Sequence, residues 1–185
     1  MANEFGQIMQ MGYIVEDVAV AAANWSARAG VGPFYVLDSL VMDQYYYRGV
    51  RVDVEMCLAF AYWGGVQIEL IHPLSDTDTL YTRALKDAPG KLNHCATVVS
   101  DIDALLAGNN LKDKVIQSGK MPTGLNFVYL EEQLPGGLHL ELIEAQESTL
   151  QAFTAMQRIA AGWDGKTPLR PMAAIAEDIA ALQKV

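Results

Sequence analysis

A chain of 185 residues is long enough for one good-sized core or for two small modules that pack together. Its net charge of −9 comes without a basic stripe, which argues against nucleic acid or an anionic membrane as a partner, because phosphates are held by clustered lysines and arginines. No uncharged apolar run approaches the roughly 18 residues of a membrane span, and the first residues lack the basic and apolar regions of a signal peptide. We therefore expect a soluble cytoplasmic protein.

The first half of the chain predicts a strand, a helix and three further strands. Asp17 directly follows the first strand and is the expected N-cap of the helix, which should end at the glycines and proline of residues 30–33. Large apolar residues then alternate along the third strand, and a Gly-Gly turn leads into the fourth. The predicted strands are residues 8–15, 34–40, 50–61 and 66–71, and the helix begins at residue 18.

The second half repeats this order and adds a helical tail. Its predicted elements are a strand 92–99, a short helix 101–107, and strands 114–117, 125–131 and 138–143. The apolar residues of the tail are spaced for one helix face, at Leu150, Phe153, Met156, Ile159 and Trp163, and a last helix should reach about residue 182. The only cysteines, Cys57 and Cys95, stand singly in strands and are predicted to be buried free thiols.

Two segments of the first half align without gaps with two segments of the second half, in the same order. A segment that begins at Gln10 lies over one that begins at His94, and the strand that contains Glu69 lies over the strand that contains Glu141. Coincidence between two such pairs is improbable, so we infer a duplicated βαβββ unit.

Glu69 and Glu141 each stand in the middle of an otherwise apolar strand. A buried, unpaired carboxylate is unfavourable, and such groups usually form ion pairs or bind a metal. Together with Gln10 and His94 they offer four donor groups, so the sequence predicts a metal site, with structural ion pairing as the alternative.

These segments resemble the vicinal oxygen chelate superfamily, which includes glyoxalase I, methylmalonyl-CoA epimerase, extradiol dioxygenases and bleomycin-resistance proteins. The resemblance covers residues 7–145 and implies an α+β fold, in which paired βαβββ modules form a cupped mixed sheet. We expect the first module in residues 1–75, the second in residues 90–145 and a C-terminal helical extension in residues 146–185. The resemblance also implies a small-molecule substrate, a homodimer and one divalent metal held by Gln10, Glu69, His94 and Glu141.

Within this superfamily the chain is most similar to methylmalonyl-CoA epimerases. Residues 68–75 and 91–98 resemble the segments that carry two of the epimerase ligands, and Glu55 resembles its catalytic glutamate that is not a ligand. The epimerases normally have histidine at the first ligand position, where this chain has Gln10. The set Gln, Glu, His, Glu is found in some glyoxalase I enzymes, so the resemblance leaves both activities open.

One imidazole, one amide oxygen and two carboxylates suit a divalent ion such as Zn, Mn, Co, Ni or Mg. A bound ion could polarise a carbonyl and so ease removal of a neighbouring proton. An epimerisation needs a base on each side of the reacting carbon, and Glu55 and Glu141 are the candidates.

Four further residues are predicted to contact the substrate. Gln67 and His139 each precede a ligand glutamate by two residues and so share its strand face. Tyr47 could line an apolar cavity, and Arg51 could meet a substrate anion. Packing and solvation are the alternatives for these side chains.

Three functions follow from these observations. The first is a metal-dependent isomerase or epimerase that moves a proton α to a carbonyl, on an acyl-CoA-like or bulky keto substrate. The second is a glyoxalase I-type lyase acting on a glutathione hemithioacetal. The third is a metal-free protein of the same fold that binds small molecules.

Overall fold

The first half of the chain forms the predicted helix and strands, except that the third predicted strand is divided. The structure is a computed structural model, which describes residues 4–42 and 44–182, except for the side chain of residue 182. Asp17 caps α1 by accepting a 2.9 Å hydrogen bond from the backbone N–H of Val20, as predicted. Gly30 ends α1 in the left-handed conformation, with φ of 66°. The elements are β1 (Ile8–Ile14), α1 (Val18–Ala29), β2 (Phe34–Val41), β3 (Gln44–Tyr47), β4 (Val50–Arg51), β5 (Glu55–Trp63) and β6 (Val66–Pro73).

The single strand predicted for residues 50–61 is wrong, because the chain is interrupted between β4 and β5. Arg48 and Gly49 turn the chain with positive φ, so that β3 and β4 form a hairpin. This hairpin pairs with a strand of the second half rather than with β5. The apolar alternation continues through the interruption, with Val52 half-buried and Val54 buried, so local pattern could not reveal the change of direction.

A helix that the sequence did not predict, α2 (Leu80–Asp87), joins the two halves. Thr79 and Thr82 form a capping box at its first turn, in which each side chain bonds to the other residue's backbone N–H. The second half then follows the predicted order, with β7 (Leu92–Val98), α3 (Ile102–Gly108), β8 (Val115–Lys120), β9 (Asn126–Leu134) and β10 (Leu138–Glu144).

The strands form one mixed sheet in the order β11-β2-β5-β6-β1-β7-β10-β9-β8-β3-β4. In each half the first strand runs parallel to the last one, as β1 does to β6 and β7 to β10. The halves meet where β1 pairs antiparallel with β7. The strand order β2-β5-β6-β1 is thus repeated as β8-β9-β10-β7, and the predicted α+β fold is confirmed.

The sheet curls so that its inner face encloses one core. Side chains from both halves of the sheet, such as Leu58 on β5 and Tyr129 on β9, belong to the same buried cluster. Two smaller clusters lie on the outer face, one between α1 and the first half and one between α3 and the second. The inner face is therefore the floor and wall of a cup.

The C-terminal extension packs against the first half. It consists of α4 (Glu147–Ala161), the short strand β11 (Leu169–Pro171), a 3₁₀ turn (Met172–Ala174) and α5 (Ile175–Leu182). Met156 and Ile159 of α4 are buried in the inner cluster, and β11 pairs in parallel with β2. The outermost residues of the predicted modules, 1–3 and 183–185, lie outside the described residues.

An ionic anchor fixes α5 to the sheet. The Tyr35 hydroxyl donates a 2.6 Å hydrogen bond to the Asp178 carboxylate, and Arg170 donates another at 2.8 Å. Burial opposes ionisation of Asp178, but these two donors outweigh it and lower its pKa.

The two cysteines are free thiols, with Cys95 buried and Cys57 half-buried. Among the helices of the described residues, none combines the length and apolar character needed to cross a bilayer.

Candidate metal centre

Four neighbouring strands at the middle of the sheet each contribute one of the predicted ligands to the inner face. Gln10 comes from β1, Glu69 from β6, His94 from β7 and Glu141 from β10. All four are buried, with exposed fractions between 0% for His94 and 8% for Glu69. The structure therefore brings the predicted ligands to the seam between the two halves.

Three of these side chains converge on one point. The Nε2 atom of His94 lies 3.3 Å from Oε2 of Glu69 and 3.4 Å from Oε2 of Glu141. Ligand atoms of all three lie within 4.8 Å of one another. This spacing places a nitrogen and two carboxylate oxygens around a volume that one ion could occupy.

Hydrogen bonds leave the ligand atoms of Gln10 and His94 available. The Gln10 amide donates a 2.7 Å hydrogen bond to Oε1 of Gln67, and its own Oε1 is buried without a hydrogen-bond partner among the described residues. Nδ1 of His94 lies 3.2 Å from Oδ1 of Asn93, an oxygen that can only accept. In the tautomer that donates this hydrogen bond, Nε2 has a free lone pair for an ion. Asn93, which sequence reasoning missed, thus orients the imidazole.

The two buried carboxyl groups at this point would be stabilised in their charged form by a cation. Burial raises the pKa of Glu141 well above its ordinary value, and the charge of Glu69 raises it further, whereas Tyr129 acts in the opposite direction. Oε2 of Glu141 also has no hydrogen-bond partner of suitable geometry among the described residues. A divalent ion would compensate both carboxylates and use the free Gln10 and Glu141 oxygens, so the four residues fit a metal.

Gly12, a residue that sequence reasoning passed over, makes room for the imidazole. It lies opposite His94 in the β1–β7 pairing, and a Cβ atom added to it would be 1.8 Å from Cε1 and 2.1 Å from Nε2 of His94. Only glycine leaves this space. A glycine inside an otherwise apolar strand was the available signal, since it often marks such a close approach.

Two buried tyrosines connect the centre to α2. The Tyr129 hydroxyl lies 3.4 Å from Nε2 of His94 and 2.7 Å from the Tyr81 hydroxyl. Burial raises the pKa of both phenols well above 10, and so do the charges of Glu69 and Glu141, so both stay neutral and can donate. Tyr81 was not predicted because nothing local in the sequence places α2 beside the cup.

The four donors lie beside an apolar cavity of about 210 Å³. Gln10, Glu69 and Glu141 line it together with the Tyr81 ring. Most of its wall is apolar and comes from both halves and from the C-terminal extension, at Leu37, Leu40, Met42, Met56, Leu58, Phe60, Met121, Leu125, Phe127, Ile143, Phe153, Met156 and Met172.

Glu55, predicted as a catalytic base, is not brought to this cavity. It alternates on β5 with the cavity-lining Met56 and Leu58, so its side chain lies on the outer face, where Ser39 donates a 2.5 Å hydrogen bond to it. Phe60 of β5 pairs with Glu69 of β6, and Glu55 lies five residues before Phe60. Along the strand this separates Glu55 from the position of Glu69 by roughly 17 Å.

The predicted substrate contacts do not line the cavity either. Gln67 is buried and bonds Gln10 and Tyr62 instead. His139 is half-buried beside β7, and its Nδ1 accepts a 3.1 Å hydrogen bond from the backbone of residue 132. Burial, followed by the proximity of His94, lowers its pKa.

The other two predicted contacts lie on the β3–β4 hairpin. Tyr47 is buried under the guanidinium groups of Arg48 and Arg83, each 5.6 Å from its ring centre. Arg51 is exposed on β4. Tyr47 and Arg51 therefore lie on the hairpin and do not line the cavity beside the metal centre.

Solved structures share this fold at low sequence identity. A hypothetical protein from Bacillus halodurans C-125 is 16% identical, with a TM-score of 0.55 over 76% of this chain and 95% of its own. The methylmalonyl-CoA epimerase of Mycobacterium tuberculosis is also 16% identical, with a TM-score of 0.55 over 82% and 95%. A variant of the Streptomyces coelicolor epimerase, in complex with 2-nitronate-propionyl-CoA, is 17% identical, with a TM-score of 0.50 over 75% and 94%.

No functionally curated protein matches the chain by sequence. The homodimer and the cytoplasmic location stay predictions. A family model does match residues 9–122, which include Gln10, Glu69 and His94. With this match, the duplicated sheet and the similar solved structures, the chain belongs to the Glyoxalase/Bleomycin resistance protein/Dioxygenase superfamily.

Proposed function

We propose that this protein is a divalent-metal-dependent isomerase or epimerase that moves a proton at the carbon next to a carbonyl group. The observation that carries the proposal is the pair of buried carboxylates, Glu69 and Glu141, on either side of Nε2 of His94 and facing an apolar cavity. The shared fold of the methylmalonyl-CoA epimerases supports it.

Gln10, Glu69, His94 and Glu141 would hold the ion, which their mostly oxygen donors suit as Zn, Mn, Co, Ni or Mg. When bound, the ion supplies Lewis-acid polarisation of a substrate carbonyl, which acidifies the neighbouring C–H group.

The proton carriers are the two glutamates rather than Glu55. Glu69 and Glu141 occupy equivalent positions in the two halves, and each lies close to His94 from a different strand. The carboxylate oxygens that the ion leaves free, one from each half of the sheet, would remove and return the proton of a substrate held at the ion. The Tyr81 hydroxyl, neutral and at the cavity wall, donates a hydrogen bond to substrate oxygen.

The experiment is proton exchange in heavy water with protein loaded in turn with each candidate metal. Phenylacetone and methylmalonyl-CoA serve as probes, and proton NMR follows loss of the hydrogen next to the carbonyl. We expect exchange with at least one probe, a loss of about 100-fold or more in Glu141→Gln, and a smaller loss of about 10-fold in Tyr81→Phe.

Tyr13→Phe and Glu147→Gln are the matched controls, since Tyr13 packs against Trp25 on the outer face and Glu147 is exposed on α4. Both should exchange at the wild-type rate. Failure of every metal and probe to give exchange, or equal exchange by Glu141→Gln, would remove the proposal.

The second candidate is a glyoxalase I-type lyase, because the set Gln10, Glu69, His94, Glu141 resembles that of some glyoxalase I enzymes. Turnover of methylglyoxal with glutathione, followed by absorbance in the same metal-loaded samples, distinguishes it from the isomerase.

A further inference from the structure

Part of the wall of the cavity beside the metal centre comes from a segment that has no counterpart in the first half of the chain. Thr149, Phe153 and Met156 of α4 and Met172 of the following 3₁₀ turn form part of its wall. Met156 is buried, and α5 is anchored through Tyr35 as described above. The C-terminal extension therefore helps to determine what the metal centre can receive.

The charged side chains of this cavity lie at the metal centre, and most of the other lining side chains are apolar. Among the residues that the structure describes, 19 side chains line the cavity, of which 13 are apolar and two, Glu69 and Glu141 beside His94, are charged. A divalent ion held by these residues would balance the charges of the two carboxylates. A ligand that carried an anion past the metal centre would then bury an uncompensated charge against methionine, leucine and phenylalanine side chains, which is strongly unfavourable.

The volume of the cavity limits the size of the ligand that it can hold. An apolar cavity of about 150 Å³ accommodates benzene, so about 210 Å³ accommodates a ring with a few more non-hydrogen atoms. A phosphorylated coenzyme or a tripeptide would have to lie mostly outside it.

We propose that the substrate is a small, uncharged carbonyl compound whose oxygen faces the four donors and whose apolar body contacts the α4 wall. This inference rests on the proposed function for the position of the carbonyl, and it disfavours coenzyme A thioesters and glutathione adducts as substrates.

Calorimetry with two matched probes tests it. Phenylacetone is neutral, and its derivative with a carboxylate at the para position of the ring carries one charge at the far end from the ketone. With and without added Zn²⁺, we expect phenylacetone to bind about tenfold or more tightly than the derivative and than methylmalonyl-CoA. Equal or tighter binding of either anion, or no binding of phenylacetone, would overturn the inference.

A charge placed on the wall adds a second test. Thr149 is half-buried at the cavity, so Thr149→Arg should fold and should shift the preference by about tenfold toward the para-carboxylate probe. Thr154→Arg, on an exposed position of the same helix, should leave the preference unchanged. An unchanged preference in Thr149→Arg would contradict the placement of the substrate body.

The proposed function and this inference fail in different experiments. Binding of phenylacetone without hydrogen exchange on either probe would support the substrate class and remove the isomerase. Exchange on methylmalonyl-CoA but not on phenylacetone would support the isomerase and overturn the substrate class.

Discussion

Replacing Gly12 by alanine should displace His94 and destroy the metal centre. The added Cβ would be 1.8 Å from Cε1 and 2.6 Å from Nδ1 of His94. Both distances are far shorter than the ordinary carbon contact distance of about 4 Å. The imidazole has no exposed surface and is enclosed by Tyr129, with ring centres 4.9 Å apart, so it cannot move aside freely. We expect overpacking to reduce the free energy of unfolding by about 1–3 kcal/mol, which lowers Tm by about 2–12 °C at this chain length.

The larger effect should be on metal affinity, because loss of an oriented ligand exceeds the 10- to 100-fold typical for loss of a residue that only orients one. Zn²⁺ titration by calorimetry should show binding weakened by about 100-fold or more. Gly108→Ala is the control, since a Cβ there would meet no atom within 4 Å and the position is helical.

A double-mutant cycle isolates the cause. In a His94→Ala background the ring is gone, so adding Gly12→Ala should cost almost no further stability. Wild-type Zn²⁺ affinity in Gly12→Ala, or an equal loss of stability from Gly12→Ala with and without the imidazole, would refute this account of the glycine.

Two further predictions concern titrating groups. Because the folded-state pKa of Glu141 lies above its ordinary value of 4.5, the folded metal-free protein binds more protons, so its stability should decrease as pH rises above about 4.5; urea unfolding should show this slope flattened in Glu141→Gln. Asp178→Asn should weaken the bonds from Tyr35 and Arg170, cost about 1–3 kcal/mol and speed amide exchange in α5, whereas exposed Glu177→Gln should not; unchanged exchange in Asp178→Asn would contradict the anchor.

The repeat and the four donors could be predicted because they depend on strand geometry. Side chains two residues apart share a face of a strand, and duplicated units fold alike, so Glu69 and Glu141 had to occupy equivalent positions. A carboxylate amid apolar neighbours also predicts an ion pair or a metal ligand, since burial of a carboxylate without a partner is unfavourable. Caps are equally local, and Asp17 caps α1 as expected.

Long-range pairing could not be predicted in the same way. The β3–β4 hairpin contains the same alternation as β5, yet it pairs with β8 across the molecule, because strand pairing depends on partners distant in sequence. Glu55, predicted as a catalytic base from the family resemblance, lies away from the cavity for a similar reason. Its parity opposite Met56 was visible in the sequence, but only the curl of the sheet makes the Met56 face the inner one.

The sequence by itself determined the duplicated unit, its strand faces and the donor groups of the candidate metal centre, because these follow from local periodicity and from the unfavourable burial of charge. Only the tertiary structure decided that Tyr81 from α2, Gly12 beneath the imidazole and the α4 wall complete the site. These groups meet through packing between elements that are far apart in the chain. The residues next to each group in the sequence do not determine which distant element packs against it.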